Sequence, residues 1–324
     1  MNIPITQSKA WKTLQDDLNE TSFFVKSDES AEKTAKNDAK SAKNPDNFQY
    51  LAILKQTPVG NYLYLPYGPV AETEKGFKKA LESLETLAKE KSAIFIRIEP
   101  RAPEIAQKTL NSAKKVKDLN PKETWVLDLT GNDADLKAKL PSRLLRYYKN
   151  VAKNGLTIET TKDPEKITEL LKLQTALAKE KNISTFSENY LKTELKQPFA
   201  TLYLVKSEDS VLAAGLVFDD ETTRYNLQGA QSEQGRKLHA TGILTIQLIL
   251  DAKAKNLETF DFWGIAPDGA GPDHPWYGFT SFKKTFKGSE KTYAGTHDLV
   301  LNPAKYRLYT ATRKINKILR KIKS

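Results

Sequence analysis

The chain has 324 residues, no cysteine and a net charge of +11, from 51 Lys and Arg against 40 Asp and Glu. At roughly 100–200 residues per domain, that length serves two domains, each able to bury its own core. The lack of cysteine excludes disulfides, thiolate nucleophiles and cysteine-ligated zinc or iron–sulfur centres. The N-terminus shows no basic segment followed by an apolar run, and no stretch approaches the ~18 uncharged residues of a membrane span, so a soluble cytoplasmic protein is expected.

Taken in chain order, the first feature is a segment from 27 to 47 without Val, Ile, Leu, Met or aromatic residues, which predicts a mobile loop. Strands follow at 50–55 and 62–65 around Pro58, Gly60 and Asn61, then a helix over 73–91 and a buried strand at 93–98. From 142 to 154 a basic helix is closed by Gly155. Beyond it the pattern predicts a strand at 156–159, helices at 164–181 and 187–196, and strands at 200–205, 212–218 and 224–229. A long helix at 238–255, a strand at 258–263, a helix at 276–286 and a strand at 293–300 complete the series.

Residues 304–324 carry eight basic side chains and no acid, so most of the excess charge belongs to this one segment. Pro303 opens a helix there, with Tyr306, Tyr309, Ile315, Ile318, Leu319 and Ile322 at helical intervals. Such a helix suits phosphates or an anionic membrane surface; equally, it docks and leaves a solvated basic face.

The order from residue 156, β-α-α-β-β-β-α-β-α-β, is the succession of the GNAT acyltransferase fold. Residues 76–100 and 241–267 share a layout: a helix with Leu at helical spacing, an Ala-Lys near its end, an apolar strand and a proline. The expected fold class is therefore α/β (α+β), two tandem GNAT-like domains at 1–140 and 141–300, followed by a basic helix at 301–324.

Several chemistries are excluded. There is no phosphate-cradling G-x-x-x-x-G-K-[ST] loop, no G-x-G-x-x-G after a strand and no G-x-S-x-G elbow, and His239, His274 and His297 lack metal-ligand spacing. A CoA-dependent enzyme of this fold grips pyrophosphate through a sequence close to [R/Q]-x-x-G-x-[G/A] at a helix start. The nearest match, Lys237-x-x-Ala240-x-Gly242, lacks the central glycine, so loss of the CoA site is expected. Trp276, Phe279, Lys283 and Phe286 fall on one helical face beside Phe282. A lysine within an apolar stripe either reaches water at its edge or faces a cleft, where its cation can stabilise an acyl-transfer oxyanion or hold a phosphate.

These residues resemble the FemABX family, the peptidoglycan bridge-forming aminoacyltransferases that move an amino acid from aminoacyl-tRNA to the side-chain amine of the stem peptide. The resemblance runs through QSKAW (7–11), YLPYGPV (64–70), FIRIEP (95–100), SRLLRYYKNVAKNG (142–155), YNLQGA (225–230), FDFWGI (260–265) and GFTSFKKTFKG (278–288). The F-K-x-x-F element is the most specific, and its lysine, which in the family lies in the acyl-transfer site, falls on Lys283. The resemblance implies that the C-terminal helix packs on the first domain, that the acceptor is lipid II or UDP-MurNAc-pentapeptide held mainly by the first domain, and that the aminoacyl end of tRNA approaches from the second, without metal or CoA.

On this reading Lys283 is catalytic. Tyr67, Gly68, Arg143, Arg146, Gln228, Asp261, Trp263, Phe282 and Phe286 are substrate-binding candidates; Trp263, Phe282 and Phe286 would shape the channel, and for each of them a place in the core is the first reading. Asp261 is a candidate to receive the amine's proton, although its alternation with Phe260 and Phe262 also suits a solvent-facing residue. The basic terminal helix is the candidate for peripheral contact with the inner membrane leaflet.

The chain departs from the family at Tyr67, where an arginine is frequent, and at 183–190 (ISTFSENY), where a basic residue is. Arg143, Arg146, Arg97 and Arg101 are candidate replacements. No long helical hairpin occurs between 156 and 196, which resembles the compact members. Two other readings stay open: a CoA-dependent N-acyltransferase, and a non-catalytic degenerate GNAT that binds RNA or membrane.

Overall fold

The computed structural model describes residues 2–27, 45–181, 185–208 and 210–323. The loop expected at 27–47 therefore lies, for residues 28–44, outside the described residues, as do 183 and 184 of the cation-free segment. The chain divides into two compact units, Met1–Lys122 with Thr292–Ser324, and Glu123–Lys291.

The first unit holds α1 (Lys9–Asp17), β1 (Ser22–Lys26), β2 (Phe48–Lys55), β3 (Asn61–Leu65), β4 (Val70–Ala71), α2 (Glu74–Glu90), β5 (Ala93–Ile98), α3 (Pro103–Thr109) and β6 (Lys114–Lys115). The second holds β7 (Glu123–Asp128), α4 (Asp133–Lys139), α5 (Ser142–Lys149), β8 (Leu156–Thr161), α6 (Ile167–Lys181), α7 (Glu188–Leu195), β9 (Ala200–Ser207), β10 (Ser210–Asp219), β11 (Thr223–Gln231), α8 (Glu233–Lys237), α9 (Ala240–Ala254), β12 (Thr259–Gly264), α10 (Tyr277–Lys284) and β13 (Ser289–Thr292). The chain then returns to the first unit with β14 (His297–Val300) and α11 (Pro303–Lys323).

Each unit is built on one mixed sheet, with strand order β1-β2-β3-β5-β14-β6 in the first, β4 pairing with β2, and β13-β7-β12-β11-β10-β9-β8 in the second. The second unit follows the expected GNAT order, and the fold is two GNAT-like units in tandem. The layout shared by the two sequence segments is realised in space. In the first unit α2 connects β3 to β5, which pair in parallel; in the second α9 connects β11 to β12, also parallel. Each pair is flanked by a strand from beyond it in sequence: β14 lies antiparallel to β5, and β7 antiparallel to β12.

That exchange moves the boundaries expected from the sequence. Residues 123–140 belong to the second unit, because Asp128 and Leu127 pair with Thr259 and Phe260. At the other end, 297–300 is threaded between β5 and β6 of the first unit instead of closing the second. The single strand expected at 293–300 breaks at Gly295, whose backbone is left-handed (φ 79°). The helix expected at 142–154 ends at Lys149 and continues only as a short 3-10 turn, and Gly155 is left-handed (φ 67°), as its closing role requires.

The second unit buries Leu202, Leu204, Leu216, Val217, Ile243, Ile246, Ile249, Phe260 and Phe262 almost completely. At the root of the β11–β12 pair, Arg224 is fully buried. Its guanidinium donates to both oxygens of Asp219 at 2.6 Å, to Asp251 at 2.7 Å and to the Leu248 carbonyl at 3.0 Å. In the first unit Tyr306 and Tyr309 of α11 pack on Ile94 and Phe95. There Arg97 forms a buried bidentate pair with Asp298, 2.7 Å at each contact, and Tyr306 donates to the same carboxylate.

Candidate functional site

The site begins with an irregularity in β12. The strand pairs with β11 only at residues 223–225 and 259–261, so beyond Tyr225 and Asp261 the two parallel strands are no longer bonded to one another. On its other side β12 pairs with β7 through Asp261↔Val126, then slips to Gly264↔Thr124. The slip is a bulge carrying Trp263 in a left-handed conformation (φ 64°), unusual for a non-glycine residue.

Asp261 holds this bulge in place. It is 2% exposed, accepts the Trp263 N–H at 2.8 Å and takes a short hydrogen bond from the Thr124 hydroxyl. The sequence alternation that allowed it to face solvent is thus overruled by the bulge: the carboxylate is a buried acceptor for backbone.

A bulge turns carbonyls out of the ladder, and here two of them meet Lys283. Its ammonium donates to the Gly264 carbonyl at 2.6 Å and to the Trp263 carbonyl at 3.2 Å. Burial pushes the lysine down to about 8, opposed by the charge of Asp261. Lys283 is therefore mostly cationic at neutral pH yet close enough to titration to give up a proton. An ammonium has three N–H donors; with two directed at carbonyls, one remains for a ligand.

The two phenylalanines around Lys283 are anchors. Phe286 is fully buried against Phe262, ring centroids 4.9 Å apart, and its carbonyl accepts the Trp125 indole N–H at 3.0 Å. Phe282 stacks edge-on to Phe286 at 5.6 Å. They seat α10 on the core and so fix the reach of Lys283. The expected stripe also divides: its N-terminal members Trp276 (41% exposed) and Phe279 (55%) stay in solvent with Tyr277.

At the same end of the second sheet lies a cationic and aromatic cluster. Because α9 runs back from the C-terminal end of β11, its first residues stand near the C-terminal ends of both parallel strands. His239, just before α9, stacks on Tyr147 of α5 at 4.4 Å with the rings nearly parallel. Arg143 donates to the Tyr147 hydroxyl at 2.9 Å, and the guanidinium groups of Arg143 and Arg146 lie 5.6 and 5.8 Å from that ring. Both arginines are exposed, and their charge lowers the tyrosine's pKa, chiefly through the hydrogen bond from Arg143. Leu144 fills the space over Gly242, where a Cβ would lie 2.5 Å from its methyl group. The glycine in the CoA-like position thus lets two helices approach.

Gln228 is packed among polar side chains of α6 and α7. It donates to Glu194 at 3.0 Å and accepts from Gln174 at 3.1 Å. Glu194 is 2% exposed, and burial pushes its carboxyl up to about 8. In the first unit Tyr67 is buried, donates to the Pro121 carbonyl at 2.9 Å and meets Tyr293 edge-on, with Arg101 against both rings. Gly68 is needed because the Gln7 amide occupies the place of a side chain, 2.2 Å from a Cβ. Tyr67 and Gly68 are thus packed into a clasp within this unit, and the Arg97 guanidinium is paired with Asp298.

Sequence reasoning missed Thr124, the Tyr147–His239 stack and the buried Glu99. The first two join residues more than 90 positions apart, for which a single sequence has no periodic signal. The β-branched and aromatic run Thr124–Trp125–Val126 was the available clue to β7 and hence to Thr124.

Comparison with known proteins gives this geometry a context. The model of the FemAB family matches residues 146–314, which include Lys283. No curated protein sequence matches the chain. Among solved structures, a crystal structure of FemX superimposes with a TM-score of 0.76 at 17% identity, over 94% of this chain and 94% of that one. L-PGS from Bacillus licheniformis gives 0.53 at 16% identity over 78% and 81% of the chains. A C-terminal domain described as that of a lysylphosphatidylglycerol synthetase from Agrobacterium fabrum gives 0.54 at 16% over 81% and 84%. At these identities the structural likenesses show the fold.

Proposed function

Because the chain belongs to the FemAB family, whose members transfer aminoacyl groups in building peptidoglycan bridges, we propose that it moves an amino acid (Gly, Ala or Ser) from aminoacyl-tRNA to the side-chain amine of a stem peptide. The acceptor is carried by lipid II or by a UDP-MurNAc-pentapeptide. The observation that carries the reading is Lys283, fixed by two bulge carbonyls with one N–H left over.

In this mechanism the acceptor amine attacks the ester carbonyl carbon. The carbonyl π electrons move onto oxygen, and Lys283 stabilises that oxyanion. Collapse of the tetrahedral intermediate breaks the bond to the terminal ribose oxygen. That oxygen takes up a proton as the new amide nitrogen loses one. The ester is already activated, so placement and charge stabilisation are the main requirements.

Arg143 and Arg146 beside the Tyr147–His239 stack suit a single-stranded RNA end, offering guanidinium groups to phosphates and ring faces to bases. Trp263 and Asp261 act through the lysine, by shaping and charging its seat. The packing of Leu144 over Gly242 disfavours the CoA reading, since that helix start is closed by a side chain.

The test is to incubate the protein with a mixture of charged tRNAs and either precursor, then read the mass gained by the acceptor. A gain of one aminoacyl residue is expected. Transfer from acetyl-CoA, or no product from any charged tRNA, would overturn the proposal.

A further inference from the structure

We infer that α11 is a membrane-docking helix, whose outward face lies in the surface of an anionic phospholipid bilayer. This goes beyond the transfer reaction and does not depend on it. The helix has two faces with different uses. Tyr306 and Tyr309, each 4% exposed, bind it to Ile94 and Phe95, and the Tyr306 hydroxyl reaches the Asp298 carboxylate at 2.7 Å. On a 3.6-residue helix the opposite side carries Ala304, Leu308, Ala311 and Ile315, all exposed, with Leu308 and Ile315 at 57% each. The sequence continues the spacing with Ile318, Leu319 and Ile322.

An exposed row of large apolar side chains on a docked helix costs free energy in water and calls for a partner. Charge identifies it. Lys305, Arg307 and Lys314 are exposed on the two sides of the row, and residues 304–324 contain eight basic side chains and no acid. An apolar stripe bordered by cations fits the boundary between acyl chains and anionic headgroups, with the stripe among the chains and the long basic side chains reaching back to the phosphates. RNA would use the cations and gain nothing from Leu308 or Ile315, so the stripe decides between the two polyanions. The tyrosines make this a fixed edge of the first unit.

The full chain is to be floated with vesicles of phosphatidylcholine alone and with vesicles about one third phosphatidylglycerol. We expect the anionic vesicles to bind at least about tenfold more protein, and Leu308→Glu with Ile315→Glu to remove about tenfold of that binding. Thermal unfolding and retention of uncharged tRNA stay unchanged in this double variant. Unaltered vesicle binding by the double variant would overturn the inference, as would a parallel loss of tRNA retention or failure of the wild type to bind anionic vesicles. Aminoacyl transfer to a water-soluble acceptor peptide, measured on the same samples, separates this outcome from failure of the transferase reading.

Discussion

The two units use the same frame, a parallel strand pair with a long helix in the connection, and finish it differently. In the first unit β3 and β5 stay paired to Leu65↔Ile98, and the next residue closes the end. Glu99, 3% exposed, accepts from the Tyr64 hydroxyl at 2.9 Å, the Thr296 hydroxyl at 2.7 Å, the Asn120 amide at 2.7 Å and the backbone N–H groups of 119 and 120. In the second unit pairing stops at Tyr225↔Asp261, and the corresponding end is a bulge whose carbonyls hold a lysine. A buried carboxylate that collects donors seals one crevice. A buried carboxylate that supports a bulge leaves the other available to a cation and its ligand. The frame supplies a position, and a few side chains decide whether it is closed by a carboxylate or occupied by a lysine.

The comparison breaks most visibly in the first unit. Arg97→Ala strands the Asp298 carboxylate in the core and should cost about 3–5 kcal/mol in denaturant unfolding, a large share of a domain's stability, with transfer per folded molecule unchanged. If that variant unfolds as the wild type does, the first unit is not held in the way described.

A smaller effect is expected at Glu194. Its carboxyl titrates near 8 when folded against an ordinary value of 4.5, so between these values the folded state keeps a proton that the unfolded chain has released. The associated stability is full below about 4.5 and is lost as the pH rises through 8. Glu194→Gln keeps an acceptor for Gln228 and removes that loss. Its melting temperature should exceed that of wild type by several degrees at pH 8 and equal it at pH 4. Smaller still, Trp263→Gly relieves the left-handed strain by about 1 kcal/mol while giving up the edge contact with Tyr225, so calorimetry should find nearly unchanged stability.

Much of this was legible in the sequence. Period-two and helical patterns located the main elements from 156 onward, and one lysine in an aromatic stripe pointed to Lys283. What stayed hidden depends on partners distant along the chain. The strand exchange that places 123–128 and 297–300 follows from pairing across the fold, so the division at 140 missed it. The pairing of buried charges was hidden for the same reason: Arg97, Asp298, Arg224 and Asp261 find their partners only after folding. Phe282 and Phe286 were recognised as a motif, but whether an aromatic side chain faces core or ligand is decided by the neighbouring helix and strand, and here Phe262 and Trp125 complete the packing.

Asp261→Asn sharpens the electrostatic half of the account. The carboxylate raises the pKa of Lys283 against the effect of burial, so its neutral replacement should move the alkaline loss of transfer to lower pH while Thr124 and Trp263 keep their acceptor.

The most direct measurement is the transfer rate of wild type divided by that of Lys283→Ala across pH, which cancels the titration of the acceptor amine. With a cationic Lys283 at the oxyanion, the ratio should be about 10²–10³ below pH 8 and shrink as the lysine deprotonates above it. A Lys283→Ala protein that transfers at the wild-type rate, or a ratio that does not change through pH 8, would contradict the account.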